Sequence, residues 1–261
     1  MKKSGSIGNR VVSNSFIITL IIIWEVISKR EMIPTYILPA PTKIIKTLIL
    51  NLPILKEHIF ITLMEAFLGF VVAVIFAIII AIIMDSIPLI KKALYPLIIT
   101  SQTVPIITIA PLFAIWFGFG YLPKIVIVGL VCFFPVTISL LEGLSSVEEE
   151  LVNLIRSMSN SRIQLYKMVK IPAAMPNFFS GLKISGTYSI TGATIGEWVG
   201  GKKGLGVYML RVKSSFATDK VFASIIIICL LSIGVLKVIN LLERLSMPWI
   251  FKENKIIGEE E

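Results

Sequence analysis

The stretch HIFITLMEAFLGFVVAVIFAIIIAIIM, residues 58–84, decides the fold class of this chain. Apart from the histidine that opens it, the stretch carries a single acidic or basic side chain, Glu65. As a helix rising about 1.5 Å per residue it would be about 40 Å long, more than the roughly 30 Å hydrocarbon core of a bilayer. A segment so long and so apolar predicts a transmembrane helix.

The rest of the composition agrees with a membrane protein. The chain has 261 residues, of which 56% are hydrophobic and 16% are charged, whereas soluble domains average about 45–50% apolar and about 25% charged residues. The excess of apolar residues lies in long uncharged runs. Disordered, collagen-like, coiled-coil and soluble enzyme folds are therefore excluded, and we expect an all-α integral membrane protein.

The ionisable residues do not point to nucleic-acid binding or to catalysis. The formal net charge is +9, but the basic residues are scattered, which is typical of solvated loops and of contact with anionic lipid head groups. His58 is the only histidine, which disfavours a histidine metal site or a Ser-His-Asp triad. Cys132 and Cys229 lie in apolar runs and are interpreted as packing residues. We expect no metal, no cofactor and no catalytic residue.

Apolar runs predict about six transmembrane helices. The first follows a basic N-terminus and lacks a small-residue cleavage site, so we interpret it as an uncleaved span. The third contains several prolines and should be kinked or broken. The predicted spans are residues 11–27, 58–84, 93–123, 125–141, 177–199 and 221–236.

The segments between the spans carry proline, glycine or charge. Residues 29–57 contain four prolines, so we expect a loop with a short amphipathic piece rather than one helix. Residues 142–170 mix acids and bases and should be helical. Residues 200–220 are polar and glycine-rich, and their opening GGKKGLG lacks the residue order of a phosphate loop, so we interpret it as a turn. The charged tail, residues 252–261, should fray.

Small residues occupy two faces of the fifth span. Gly192, Gly196 and Gly200 recur every four residues, and a second set lies on a neighbouring face. Because small residues let helix backbones approach closely in lipid, this helix should be central, at an interface between subunits or repeats. The alternative is the general glycine richness of transmembrane helices. The second set comprises Gly181, Ser185, Ser189 and Ala193.

Residues 147–176, VEEELVNLIRSMSNSRIQLYKMVKIPAAMP, resemble the cytoplasmic EAA loop of ABC importer permeases. In that family the loop forms two short helices that dock onto an ATPase. The chain departs from the family pattern at the Glu-Ala-Ala positions, which are Asn153, Leu154 and Ile155, and at the turn glycine, which is Ser159. The resemblance implies ATPase-coupling roles for Asn153, Arg156, Ser157, Ser159, Asn160, Ser161, Gln164 and Pro172.

Four further stretches resemble the same family: LPAPT at 38–42, TLMEAFLGF at 62–70, WFGFG at 116–120 and GLGVYM at 204–209. They are similar to the nitrate, sulfonate, taurine and thiamine-precursor branch of type I importers. This branch implies a multi-pass protein of the cell membrane with a cytoplasmic N-terminus. Basic residues divide almost evenly between the two sides of such a topology, so the orientation rests on the resemblance and not on charge.

The resemblance also implies a division of the chain and a set of partners. Residues 1–57 would form the N-terminal span and an external loop, and residues 58–243 the permease core with its cytoplasmic coupling loop 142–176. Residues 244–261 would form a cytoplasmic tail. The chain would not be an enzyme, because ATP hydrolysis would belong to a separate subunit. The implied partners are a second permease copy in a homodimer, ABC ATPase subunits, an extracytoplasmic solute-binding protein and the lipid bilayer, and no nucleic acid.

Polar residues within the spans are candidates for the translocation path of such a permease. Gln102 and Thr103 precede Pro105 in an apolar run, where they could contact a solute or repair a proline kink. A charge at mid-membrane costs at least about 2.5–3.5 kcal/mol, so an acid within a span should face a cavity or a partner, unless it reaches the interface. The candidate path residues are Glu65, Gln102, Thr103, Thr191, Thr194 and Glu197.

The resemblance also bears on the solute. The Glu65-Ala66 and Glu197-Trp198 pairs look like those of importers of hydroxymethylpyrimidine, riboflavin and related heterocycles. An acid near the path is a poor neighbour for a sulfonate, taurine or nitrate anion. The alternative function is an ion-coupled secondary transporter, which few buried charges and a large cytoplasmic loop disfavour. An intramembrane enzyme lacks the residues it needs, and the Ala-Arg-Gly signatures of energy-coupling-factor subunits do not occur.

Overall fold

A computed structural model describes residues 3–158 and 161–248 of the chain. This part is helical and contains no strand, which confirms the all-α fold. A π-helical turn, Tyr166–Lys170, joins the seventh helix to the eighth. The helices are α1 (Lys3–Lys29), α2 (Pro41–Ser86), α3 (Pro88–Ser101), α4 (Ile106–Phe117), α5 (Tyr121–Ser145), α6 (Glu149–Met158), α7 (Arg162–Leu165), α8 (Ile171–Gly200), α9 (Leu205–Ser214) and α10 (Thr218–Ser246).

The second helix is longer than expected. We expected a loop over most of residues 29–57, but α2 continues without a break for 46 residues from Pro41. Pro41 occupies the first turn, where its missing N–H would have no helical partner in any case. Pro53 lies inside the helix and removes one backbone hydrogen bond without ending it. The loop interpretation was therefore wrong for residues 41–57.

The third apolar run is broken, as its prolines predicted. The axes of α3 and α4 differ by 102° across the break between them. Pro105 lies directly before α4 with extended backbone. It has no N–H to donate, and its ring disfavours helical backbone at the preceding residue. The break leaves the polar residues Gln102 and Thr103 exposed at the bend.

Within the described residues, α2, α5 and α10 are long and apolar enough to cross a membrane. The bent pair of α3 and α4 adds a fourth span if it is counted as one. The helices α1 and α8 contain 27 and 30 residues, which suffices to span a bilayer by length alone. The membrane character of the fold is confirmed, whereas the number of six spans remains a prediction.

The eighth helix lies at the centre of the bundle, where α2, α5 and α10 pack against it. Its small residues face α5. A Cβ on Gly196 would lie 3.1 Å from the Cα of Lys124, and the Ser185 hydroxyl donates to the carbonyl of Cys132 over 2.8 Å. Larger side chains would separate the two backbones. The close-packed face that the glycine spacing predicted is therefore directed at α5 of the same chain.

The two polar segments lie at opposite ends of the bundle. At one end, here called the outer end, Leu205 and Tyr208 of α9 are buried with Leu55 of α2 and Ile227 of α10. At the other, the inner end, the last turn of α2 contacts the α6–α7 segment, which here includes the turn Tyr166–Lys170 after α7, through Asp85. Because α2 and α8 both extend from one end to the other, they connect the two polar segments.

Candidate functional site

The segment formed by α6 and α7 presents a bare apolar face at the inner end. No residue of α6 is buried, and its apolar residues Leu151, Leu154 and Met158, three and four positions apart, are exposed. Ile163 of α7 is 78% exposed. An amphipathic helix whose apolar side is uncovered is typical of a surface that binds a partner.

The residues expected to couple to an ATPase lie along this segment where the structure describes them. Ser161 caps α7 by accepting a hydrogen bond from the backbone N–H of Gln164 over 3.4 Å. Ser159 and Asn160, the expected turn residues, lie outside the described residues. The remaining four divide between α6, where three are exposed, and the first turn of α8. They are Asn153, Arg156 and Ser157 on α6 and Pro172 on α8.

A polar contact ties this segment to the end of α2. Lys170 donates to both carboxylate oxygens of Asp85 over 2.9 and 2.7 Å. The Tyr166 hydroxyl also donates to Asp85, and it lies 2.8 Å from the Ser86 hydroxyl. Burial, reinforced by the hydrogen bond to Asp85, raises the pKa of Tyr166 to about 12, so the hydroxyl keeps its proton. Sequence reasoning missed this contact, although Asp85 is the first charge after a long apolar run.

A cavity of about 570 Å³ opens at the bend between α3 and α4. The break residues, a stretch of α5 and Tyr188 of α8 line it. Two of the expected path residues, Gln102 and Thr103, line it. Its lining comprises Ser101, Gln102, Thr103, Val104, Pro105, Ile106, Ile109, Leu130, Val131, Phe134, Pro135 and Tyr188.

The polar groups of this cavity differ in their hydrogen bonding. The hydroxyls of Ser101 and Thr103 donate to the carbonyls of Leu97 and Thr100, each over 2.7 Å, and are thus satisfied by backbone groups within one turn. The Gln102 amide has no hydrogen-bond partner within the described chain. Local repair of the kink therefore accounts for the hydroxyls and leaves the amide facing the cavity.

The other expected path residues lie elsewhere. Thr191 is exposed on α8 without lining the cavity. Thr194 is buried, and its hydroxyl donates to the carbonyl of Ile190 over 2.8 Å. Glu65 and Glu197 are 0% and 1% exposed. Both acids lie at the outer end, away from the bend.

Glu65 and Glu197 belong to a buried group that we call the outer charge cluster: Glu65, Lys124 and Glu197. The Lys124 ammonium lies 2.6 Å from a Glu65 oxygen, and both side chains are almost fully buried. The second Glu65 oxygen has no hydrogen-bond partner among the described residues. The cluster thus pairs two carboxylates with one ammonium.

The outer charge cluster holds the start of α9. Glu197 accepts hydrogen bonds from the Thr62 hydroxyl over 2.6 Å and from the backbone N–H of Gly206. Thr62 in turn accepts from the N–H of Leu205 over 2.9 Å. Gly204, just before α9, has a φ of +125°, and a Cβ there would lie 2.1 Å from a Glu197 oxygen. Only glycine fits this approach of backbone to carboxylate.

Sequence reasoning found the two acids of this cluster but not their partners. Lys124 falls between the predicted spans 93–123 and 125–141, whereas it is 4% exposed inside the bundle. His58, set aside as a lone histidine, accepts a hydrogen bond at Nδ1 from the N–H of Gly204 over 3.0 Å. The available signal was the spacing of His58, Thr62 and Glu65, since residues three and four apart share one helix face.

The chain matches a family model over more than half of its length. The family described as "Binding-protein-dependent transport system inner membrane component" matches residues 73–251. Among solved structures, a chain of the inward-facing MetNI methionine ABC transporter superimposes with a TM-score of 0.52. That match covers 71% of this chain and 93% of the other at 16% sequence identity, which shows a shared fold.

Several curated proteins match most of the chain. The "Formylaminopyrimidine transport permease protein ThiX" of Halalkalibacterium halodurans is 34% identical over 91% of this chain and 95% of its own length. The "Riboflavin transport system permease protein RibX" of Chloroflexus aurantiacus is 30% identical, covering 88% of this chain and 87% of that protein. The "Putative aliphatic sulfonates transport permease protein SsuC" of Bacillus subtilis is 31% identical, covering 88% and 84%.

Proposed function

This chain belongs to the binding-protein-dependent transport inner membrane components and is an ABC transporter permease, and we propose that a separate ATPase drives it to import a small nitrogen heterocycle. The observation that carries this proposal is the exposed apolar face of α6 and α7. A permease that depends on another subunit for ATP hydrolysis needs such a surface to bind it, and the contact with Asp85 connects that surface to α2.

In the proposed cycle, ATPase subunits bind residues 147–172 and displace them when they close on ATP. Two connections would carry the displacement into the membrane. The salt bridge of Lys170 and Asp85 connects the segment to the end of α2, and the turn at Tyr166–Lys170 continues directly into α8. Both helices extend to the outer end of the bundle, where α9 packs.

The translocation path would form between two copies of the chain. The apolar side chains of α4 are exposed in the single chain, and Tyr188 of α8 is 49% exposed beside them. Two copies that face each other across α3, α4 and α8 would cover this surface and enclose the bend cavities between them. Parting and closing of these helices would then give alternating access. The exposed side chains of α4 include Ile107, Leu112, Ile115, Trp116 and Phe117.

The outer end would receive the solute from an extracytoplasmic binding protein. The docking region is expected near residues 29–57 and 200–220. In the structure this region carries the exposed basic residues Lys202, Lys203 and Arg211 around α9. A charged, exposed surface suits a partner that binds and dissociates rapidly, because electrostatic attraction speeds association.

A nitrogen heterocycle is the favoured solute class. Relatives named for formylaminopyrimidine and riboflavin transport support it, although other relatives are named for sulfonates and taurine. The bend cavity adds a second argument, because none of the residues that line it is acidic or basic. An anion there would lose its hydration without gaining a counter-charge.

Co-purification tests the coupling surface directly. The intact chain, solubilised in detergent, should capture the candidate ATPase subunit. A variant with residues 147–172 replaced by a flexible linker should insert into the membrane but lose this capture. A matched control replaces residues 30–40, the short external loop, with the same type of linker and should retain capture.

The outcome decides between two modes of energy coupling. Capture that depends on residues 147–172 supports an ATP-driven importer, and the solute can then be sought with the binding protein. Failure of the intact chain to capture any candidate ATPase contradicts the proposal. In that case uptake that survives ATP depletion would establish ion-coupled transport.

A further inference from the structure

Two polar side chains face the cavity at the α3–α4 bend without a partner. The Gln102 amide and the Tyr188 hydroxyl make no hydrogen bond within the described part of the chain. Helix α3 has 14 residues, so the bend lies roughly 20 Å along the helix from the inner end. At that depth an unsatisfied polar group facing lipid is strongly disfavoured. Both groups must therefore face water, a solute or the second copy of the chain.

The cavity is uncharged throughout. None of the twelve residues that line it is acidic or basic. Charged residues within the neighbouring helices are paired away from it, Glu65 with Lys124 and Lys183 with Glu243. An anion at the bend would have no counter-charge in this chain, so nothing would offset the free-energy cost of removing its water. The walls are instead apolar side chains such as Val131 and Phe134. The cavity suits an uncharged molecule.

The free amide of Gln102 indicates which hydrogen-bonding groups such a molecule would present to it. A primary amide offers one acceptor and one donor side by side. It pairs with an amino group next to a ring nitrogen, as glutamine and asparagine do with adenine. The hydroxyl hydrogens of Ser101 and Thr103 are already engaged, so Gln102 is the group in the break that can both donate and accept freely.

Tyr188 supplies the second element of recognition. Its ring is half exposed on α8 and lines the same cavity as the break residues. An aromatic side chain in this position can stack on a flat heterocycle irrespective of its substituents. A stacking face from α8 and an edge-reading amide from the break would together hold a planar ring in one orientation. The volume of about 570 Å³ falls within the range of small-molecule pockets.

We propose that the bend cavity is a recognition subsite for an uncharged aminopyrimidine-type ring, in which Gln102 pairs with the amino and ring-nitrogen edge and Tyr188 stacks on its face. The inference rests on the proposed function, since it concerns a solute in transit, and it deepens that function by naming specificity-determining residues. It also predicts that the permease itself, and not only a binding protein, discriminates against anions such as taurine.

Photolabelling tests the subsite directly. The permease, reconstituted in proteoliposomes with its ATPase, is irradiated with an azido-substituted 4-aminopyrimidine, and adducts are located by mass spectrometry. Labels should fall on residues 101–106 or on Tyr188. The same azide on a ring without the amino group should label the wild type about tenfold less, which is the discrimination expected of one bidentate pair. Taurine should not compete with the label.

Two variants separate recognition from folding. Gln102→Met keeps an unbranched side chain of similar length but cannot donate, so it should abolish the roughly tenfold preference for the amino ring. Tyr188→Phe keeps the stacking face and should retain labelling, whereas Tyr188→Leu should lose most of it. A general packing defect would lower labelling by both probes equally, and the ratio between the probes would not change.

Failure of the subsite can be told apart from failure of the proposed function, because ATP-driven uptake of the unmodified aminopyrimidine is measured in the same vesicles. Labels elsewhere, or an unchanged probe preference in Gln102→Met, overturn the subsite even when uptake continues. Absence of ATP-driven uptake overturns the proposed function.

Discussion

A lysine inside a membrane protein destabilises the fold unless an anion accompanies it. Lys124 meets this condition through Glu65, and Glu197 extends the group to Thr62 and the backbone of α9. The outer charge cluster thereby connects α2, α5, α8 and α9 at one point. Its residues hold helices together and do not line the bend cavity.

The pairing of Lys124 with Glu65 predicts a non-additive pattern of stability. Lys124→Met should destabilise the protein by about 3–5 kcal/mol, because it leaves a buried carboxylate without its counter-charge. The double variant Lys124→Met/Glu65→Gln should recover a large part of this loss. Intrinsic fluorescence during unfolding in detergent measures the stability of the single and the double variant.

A matched control is available in the pair of Lys203 and Glu57, which is exposed to solvent. Lys203→Met should leave the unfolding midpoint nearly unchanged, because exposed ion pairs contribute little. If the effects of Lys124→Met and Glu65→Gln simply add in the double variant, the two residues are not a stabilising pair.

Sequence reasoning recognised Glu65 and Glu197 as unusual but could not assign their partners. Lys124 is 59 positions from Glu65, and only the packing of α2 against α5 brings the two together. The partnership of Thr62 with Leu205 likewise spans 143 positions. Local spacing shows which residues share a helix face, whereas it does not show which helix that face will meet.

At the scale of helices, the effect of proline depended on its position. Pro96, Pro105 and Pro111 predicted a break in the third apolar run, and α3 and α4 are indeed separate. Prolines in residues 29–57 predicted a loop, yet Pro53 lies within α2. A single lost hydrogen bond is tolerated when the surrounding helix is long and packed against its neighbours. Around Pro53 this packing is provided by Ile44 and Leu55, which are buried on either side of the proline. Such tertiary support is not visible in the sequence.

The contact between the α6–α7 segment and α2 predicts a defect in coupling. Tyr166→Phe removes the hydroxyl that lies between Asp85 and Ser86, while the salt bridge of Lys170 remains. We expect the ATPase to bind as before, and the solute transported per ATP hydrolysed to fall several-fold. Simultaneous measurement of uptake and of phosphate release in proteoliposomes tests this. Thr19→Ala, which removes an exposed hydroxyl on α1 and lies outside residues 147–172, is the control, and an equal loss in both variants would contradict the assignment.

The same tyrosine predicts a pH dependence. Burial raises the pKa of Tyr166 from 10 to about 12, so the folded state favours the protonated hydroxyl more strongly than the unfolded state does. The contribution of this hydroxyl to the free energy of unfolding should be fully present below pH 10 and be lost as the pH rises toward 12. The difference in unfolding free energy between wild type and Tyr166→Phe should therefore stay constant up to pH 10. A decline that begins at lower pH would contradict the buried hydrogen bond.

For the molecule as a whole, the sequence was sufficient for the fold class and the family. The apolar run 58–84 predicted a membrane helix, and the segment 147–176 carried the resemblance that the family model bears out. The number of spans was harder to establish, because α8 is rich in glycine, serine and threonine. These residues suit its central position against α5, where close approach matters more than hydropathy.

A homodimer would bury the exposed face of α4, and cysteine cross-linking can test whether two copies meet there. In a Cys229→Ser background, Ile115→Cys should form disulfide-linked dimers in native membranes, because Ile115 is 75% exposed on the proposed interface. Ile79→Cys, on the exposed side of α2, serves as the control and should remain monomeric. Non-reducing electrophoresis separates the two outcomes. Equal cross-linking at both positions would place the interface elsewhere.

The length of α2 has a mechanical consequence. At 46 residues the helix is about 70 Å long, and both of its ends are fastened: Asp85 to Lys170 at one, and Thr47 to Asp219 of α10 over 2.7 Å near the other. A rigid helix of this length converts a small rotation at one end into a large displacement at the other. A tilt of about 5° around the inner end would carry the outer end about 6 Å.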